Sequence, residues 1–169
     1  TPSEELQILA YDKLKWVRLE VARNPNTPAK ALEYLAADED YEICQEVAFN
    51  HSTPIKILEI LATHTNIKVR QAVAFNFVNS NPNIPAYLLE KLARDENFEV
   101  YWFVLYNPKT PISLLIEAFS KYKQNDGVRH ALASNPSTPT IILDELADYE
   151  NECGTILEEI ADNPNTSLA

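Results

Sequence analysis

The chain of 169 residues holds only two glycines, Gly127 and Gly154. An all-β architecture draws heavily on glycine for its tight turns, so this scarcity argues against one. Two cysteines, Cys44 and Cys153, stand far apart and form no Cys-x-x-Cys pair. Zinc, redox and disulfide frameworks therefore lack support, and two free thiols in a reducing cytoplasm is the expected state. No apolar run approaches the roughly 18–20 residues that span a bilayer, and no basic, apolar, small-residue leader pattern is seen. Beyond Arg129 there is no Lys or Arg, while Asp144, Glu145, Asp148, Glu150, Glu152, Glu158, Glu159 and Asp162 follow. With a net charge of −11, a nucleic-acid partner and an anionic membrane are both disfavoured, since each needs basic patches. The acidic end reads first as a solvated surface that keeps the protein in solution. A hydrophobic fraction of 46% with 23% charged residues is that of a soluble globular domain.

What the chain does have is proline in one place. All eleven prolines lie in a repeated junction: Asn24-Pro25-Asn26-Thr27-Pro28, Asn50-His51-Ser52-Thr53-Pro54, Asn81-Pro82-Asn83-Ile84-Pro85, Asn107-Pro108-Lys109-Thr110-Pro111 and Asn135-Pro136-Ser137-Thr138-Pro139, with Thr1-Pro2 before them and Asn163-Pro164-Asn165-Thr166-Ser167 after. Proline inside a helix removes a hydrogen bond and clashes with the preceding turn, so these junctions separate elements. The prolines at 2, 28, 54, 85, 111 and 139 are spaced by 26, 26, 31, 26 and 28 residues. A period of that size sustained over a chain signals a solenoid.

Each repeat has two parts. After Thr-Pro, apolar residues fall at i, i+3 and i+4: Leu6, Leu9 and Ala10; Leu32, Leu35 and Ala36; Leu58, Leu61 and Ala62; Leu89, Leu92 and Ala93; Leu143, Leu146 and Ala147. That spacing predicts an α-helix with one buried face. Threonine is expected at its N-cap and proline at its first turn, with Thr1-x-x-Glu4 completing a capping box. The fifth copy carries Ala118 and Phe119 instead, which implies local repacking.

The second part, running over 17–22, 43–48, 69–74, 100–105, 128–133 and 156–161, predicts a shorter α- or 3₁₀-helix. Its stability must come from neighbouring repeats. Asp40, Asn66, Asn97 and Asn125 stand where its N-cap belongs. Asn24, Asn50, Asn76, Asn107, Asn135 and Asn163 end it; four of them, Asn24, Asn107, Asn135 and Asn163, precede proline, and a residue before proline leaves helical dihedrals. Recurrence at fixed spacing marks these asparagines as structural. Three repeats break the period: five residues are added around 77–81, and two repeats lengthened by two residues carry the glycines, expected in an enlarged turn.

The combined pattern Val-Arg-x-x-Val-Ala-x-Asn-Pro-x-Thr-Pro-x-x-x-Leu-x-x-Leu-Ala, clearest over 17–36 and 69–93, resembles the leucine-rich repeat variant family. The resemblance covers essentially the whole chain. It implies a right-handed all-α solenoid, related to HEAT and armadillo arrays, of about six repeats alternating a long α-helix with a short α- or 3₁₀-helix. On this reading residues 1–169 form one elongated repeat domain. A described family member binds an iron–sulfur cluster through cysteines in a separate segment; no such cysteine cluster stands in this sequence, and no cofactor is expected. The repeats by themselves imply no activity.

No catalytic constellation emerges. Asp38-Glu39-Asp40-Tyr41-Glu42 and Asp95-Glu96-Asn97-Phe98-Glu99 lack the glycine of a calcium loop and suit helix caps. His51, His64 and His130 occupy different repeat positions without metal-ligand spacing. The informative face is the outward one of the second helices. There the middle layers carry Phe49, Phe75, Trp102 and Tyr106, with Gln45 and Gln71 beside them, whereas the outer layers are polar. Helices packed ~8–10 Å apart would join these rings into one strip, and aromatics flanked by polar groups are what protein-interaction hot spots contain. The expected function is a non-enzymatic scaffold for a protein or peptide partner. The alternative is a binding module or accessory enzyme taking a small aromatic or pigment-like ligand in the same strip. A plain packing role for the rings competes with both. Any specific function is expected where the repeat breaks, around 77–81 and the aromatic fourth second helix.

Overall fold

The computed structural model describes residues 2–79, 85–149 and 154–167. Twelve α-helices and no strand occur among them. They pair as α1 (Ser3–Leu9) with α2 (Lys15–Arg23), α3 (Ala29–Leu35) with α4 (Tyr41–Phe49), α5 (Ile55–Leu61) with α6 (Ile67–Asn79), α7 (Ala86–Leu92) with α8 (Phe98–Leu105), α9 (Ile112–Tyr122) with α10 (Asp126–Ser134), and α11 (Thr140–Ala147) with α12 (Gly154–Asp162). This is an all-α, solenoid-like repeat fold.

The lengths reverse one expectation. The helices after proline run only seven residues in α1, α3, α5 and α7, whereas α2, α4, α10 and α12 run nine. Their apolar pattern extends further than the helix because the last turn tightens: Ala37 N bonds the Tyr34 carbonyl and Asp38 N the Leu35 carbonyl, both three residues back. The second helices are α throughout.

The junction also works differently at the atomic level. Pro28, Pro54, Pro85 and Pro139 sit at the N-cap itself in an extended conformation, and no side chain caps these helices. Pro2 does the same for α1, so the expected Thr1–Glu4 box has no N-cap residue in α1; Thr1 lies outside the described residues. Threonine instead closes the helix behind it. The hydroxyls of Thr27, Thr53, Thr110 and Thr138 donate to the carbonyls of Val21, Val47, Val104 and Leu132, six residues back, at 2.5–2.7 Å. Helix C-termini leave carbonyls without partners, and here a buried hydroxyl supplies one. Three second helices do have the expected side-chain N-caps: Asp40, Asn97 and Asn125 accept from Glu42 N, Glu99 N and Val128 N, whereas α2 has Leu14 at its N-cap.

Asparagine forms a ladder between repeats. Asn50 Nδ2 donates to the Ala22 and Asn24 carbonyls at 2.6 and 2.9 Å. Asn135 reaches Leu105 and Asn107, and Asn163 reaches Ala133 and Asn135, in the same way. The side-chain oxygen accepts from the amide two residues on, which fixes which way the nitrogen points. Asn76 departs: helix α6 runs past it to Asn79; Phe77 follows it, so no proline forces the chain out of helix there, although Asn50, followed by His51, does end α4. The sequence-predicted Asn81–Ile84 stretch and the side chains of 76–79 lie outside the described residues, as does Cys153.

Arginine after the first apolar residue of α2, α6 and α10 has a shared role as well. Arg18, Arg70 and Arg129 each donate to the carbonyl six residues back, at Asp12, His64 and Lys123, and so close the loop between paired helices. Arg18 also grips Asp38 of the next repeat with two bonds, 2.6 and 3.1 Å, at a largely buried site.

Two compact units are present, Thr1–Ile84 and Pro85–Ala169. In the first, α2, α4 and α6 stack in a row with α1, α3 and α5 packed beside them. Leu32, Leu35, Ile43, Val47, Leu58, Leu61, Val69 and Val73 are fully buried there. In the second, α8, α10 and α12 form the row, and Leu105, Leu115, Leu132, Leu143 and Leu146 fill the core. Burial of each such side chain contributes about 1.5–3 kcal/mol, which is what holds helices this short. The fifth copy repacks as expected: Ala118 takes the buried place, α9 lengthens to eleven residues, and Tyr122 joins Phe98 and Tyr101 in a ring cluster with centroids 5.4–5.7 Å apart.

Candidate functional site

The six residues singled out from the sequence fall on two units. On the first, Phe49 ends α4 and Phe75 lies in α6 at the equivalent place. Their rings meet edge to face, centroids 5.9 Å apart, a favoured arrangement for aromatic quadrupoles. Phe75 is 39% exposed, while Phe49, Gln45 and Gln71 are half-buried. This edge-to-face pair with flanking amides is an apolar feature open to solvent.

On the second unit, Trp102 of α8 and Tyr106, which caps the C-terminus of α8, stand one turn apart with rings perpendicular at 5.0 Å. Both are half-buried, and their polar atoms are engaged inside the unit. Trp102 Nε1 donates to the Gly127 carbonyl at 2.8 Å. Gly127 is not in an enlarged turn, as the sequence suggested, but inside the first turn of α10. A Cβ there would lie 3.1 Å from the indole nitrogen, so the missing side chain admits the tryptophan. Tyr106 Oη lies 2.7 Å from His130 Nδ1, and His130 Nε2 lies 3.1 Å from Glu159 Oε1. Three successive helices, α8, α10 and α12, thus contribute one phenol, one imidazole and one carboxylate to a single chain of polar contacts. Burial, with the Glu159 charge adding to it, pushes the Tyr106 phenol up to about 12, so it stays neutral.

Glu159 is the member of this chain of polar contacts that sequence reasoning missed. The repeat register places Glu158 and Asp162 on the outward face of α12, and both are exposed. Glu159, one position on, turns toward α10, and its Oε2 is buried without a hydrogen-bond partner. No signal in the sequence distinguishes the two adjacent glutamates.

Two cavities lie elsewhere. One of about 460 Å³ is lined by Tyr11, Tyr34, Lys13, Arg18 and Asp38 among others; the other, of about 360 Å³, lies against α1 and α2. No group of three or more metal-ligating side chains occurs among the described residues. Nor is any helix there long and apolar enough to cross a membrane. Cys44 is buried, its thiol directed at the Asp38 carbonyl, and burial pushes it up to about 11. That describes an inert thiol.

Comparison with known proteins agrees with this geometry. Residues 16–40 match the leucine rich repeat variant family. A solved leucine-rich repeat variant with a novel repetitive structural motif is similar over 96% of this chain and 72% of its own, at 24% identity and a TM-score of 0.57. An engineered protein of known crystal structure is similar over 94% of this chain and 93% of its own, at 18% identity and a TM-score of 0.51. No curated protein gives a significant match. The match over residues 16–40 is to a leucine-rich repeat variant repeat, and the all-helical repeats share their fold with a solved leucine-rich repeat variant.

Proposed function

We propose that the protein is a non-enzymatic scaffold, its repeats serving as one domain that binds a protein or peptide through the outward face of the second helices. The observation that carries this reading is the Phe49–Phe75 pair, with Phe75 open to solvent and Gln45 and Gln71 beside it. Aromatic rings presented beside polar groups are what protein interfaces use as anchors. Trp102 and Tyr106 add half-exposed ring surface on α8, held in place by Gly127 and His130. A small-ligand site asks for a concave, mostly apolar pocket, and the two cavities described lie away from these rings. A free, buried Cys44 is in keeping with a reducing cytoplasm. The test is capture of partners from the native cell extract by the wild-type chain, by Phe75→Ser, and by Phe75→Ser with Trp102→Gln. Loss of specifically captured proteins, with unchanged helicity by circular dichroism, supports the reading. An unchanged captured set removes it.

A further inference from the structure

The loop between α1 and α2 and the end of α3 with its following loop form the walls of the 460 Å³ cavity. Both walls therefore belong to consecutive repeats of the first unit. Arg18 and Asp38, largely buried, make its floor. All three guanidinium nitrogens of Arg18 are engaged there, two by Asp38 and the third by the Asp12 and Lys13 carbonyls. The floor is a neutral pair that needs nothing from outside.

The rim is different. Tyr11 and Tyr34 line it with ring centroids 4.0 Å apart, 56% and 45% exposed. The Lys13 ammonium and the Glu39 carboxylate line it as well, and both residues are exposed. None of these four side chains makes a hydrogen bond or ion pair among the described residues. One repeat on, 26 residues later, the places of Tyr11, Lys13, Arg18 and Tyr34 are held by Ala37, Glu39, Cys44 and Ile60. A scaffold position recurs at the repeat spacing, as the ladder asparagines do. This set of two rings and two opposite charges occurs once in the unit.

We infer that the cavity binds a small aromatic zwitterion, a free α-amino acid with a ring side chain. Glu39 takes its ammonium, Lys13 takes its carboxylate, and its ring packs on Tyr11 and Tyr34. Lys13 and Glu39 hold equivalent places in neighbouring repeats. Helices of such repeats pack ~8–10 Å apart, so one small molecule reaches both heads. The cavity volume falls within the roughly 300–1,000 Å³ of small-molecule sites. Charge sets the ligand class, because a ligand with one charge leaves the opposite rim group unmet. The site uses none of the rings of the proposed partner face, and neither reading depends on the other.

The test is a titration of the isotope-labelled chain with L-phenylalanine, followed by the amide resonances of residues 11–13 and 37–39. Saturable shifts centred on those residues are expected, with a Kd on the order of 1 mM. Lys13→Gln and Glu39→Gln should each weaken binding about threefold or more, and Tyr34→Ala about fivefold. Phenylalanine amide keeps only the ammonium, and its affinity should not change in Lys13→Gln. N-acetylphenylalanine keeps only the carboxylate, and its affinity should not change in Glu39→Gln. Both charge variants lie at exposed positions, and circular dichroism checks the fold of all three. Absence of saturation up to about 20 mM overturns the inference, as do shifts centred away from the cavity. A capped form binding as tightly as free phenylalanine also overturns it, since a chain terminus then satisfies the site.

Discussion

Asn135 reaches back thirty residues to place its side-chain nitrogen 2.6 Å from the Leu105 carbonyl, while the Asn107 carbonyl lies 2.7 Å from the same atom. Asn135 is fully buried, so removing its amide leaves two buried carbonyls short of a donor. Asn135→Ala should therefore lower unfolding free energy by about 1–3 kcal/mol, measured by urea denaturation. Asn107 gives the contrast. It is also buried, but its Nδ2 has no partner among the described residues; Asn107→Ala then loses, among them, only the bond from Lys109 N to its oxygen and should cost less. Equal losses at the two positions would contradict the ladder.

Thr138 separates the two roles available to the junction threonine. As an N-cap it would tolerate aspartate, a strong cap residue. In the structure its hydroxyl donates to the Leu132 carbonyl at 2.7 Å with no exposure. Thr138→Val should cost about 1 kcal/mol, the usual worth of one such bond. Thr138→Asp should be worse than valine, because it sets a buried carboxylate against a carbonyl oxygen. Thermal melts of the two variants side by side decide the matter.

Asp40 gives the first unit a pH signature. Its hydrogen bond from Lys15 holds the carboxylate below its ordinary range, and the same bond raises the Lys15 ammonium. A lowered acid contributes stability above its unfolded pKa and loses it as pH falls; a raised base contributes below its unfolded pKa and loses it as pH rises. Both contributions are present between about pH 4 and pH 10. The stability gap between wild type and Asp40→Asn should be open in that window and close on acidification. Lys15 is exposed and Asp40 partly so, and added salt should narrow the gap too.

Cys44 should resist thiol reagents in the folded chain. In a Cys153→Ser background, Ellman's reagent at pH 8 should label it only as fast as the protein opens, and at once in urea. Rapid labelling of the native protein would show that burial does not protect the thiol, against its upward shift to about 11.

Much of this was legible beforehand. Leu32, Leu35, Leu58, Leu61, Val47 and Leu132 are buried where helical spacing placed them, because burial of one helix face follows from the i, i+3, i+4 period alone. Asp40, Asn97 and Asn125 cap as expected, since a cap reaches only two or three residues along the chain. Thr-Pro was misread for a related reason: its local pattern fits an N-cap, but the hydroxyl turned back to a carbonyl six residues away. Nothing in a five-residue pattern says which way that hydroxyl rotates.

The sequence by itself determined that this chain is helical, where its helices start, and which faces they bury, because proline geometry and apolar period act over one or two turns. Only the tertiary structure decided which carbonyls the asparagines take, that Gly127 makes room for Trp102, and that Glu159 rather than Glu158 meets His130. Those choices join residues 25–30 positions apart. They depend on how one helix is rotated against the next, and a rotation of one residue's worth, about 100°, exchanges one glutamate for its neighbour.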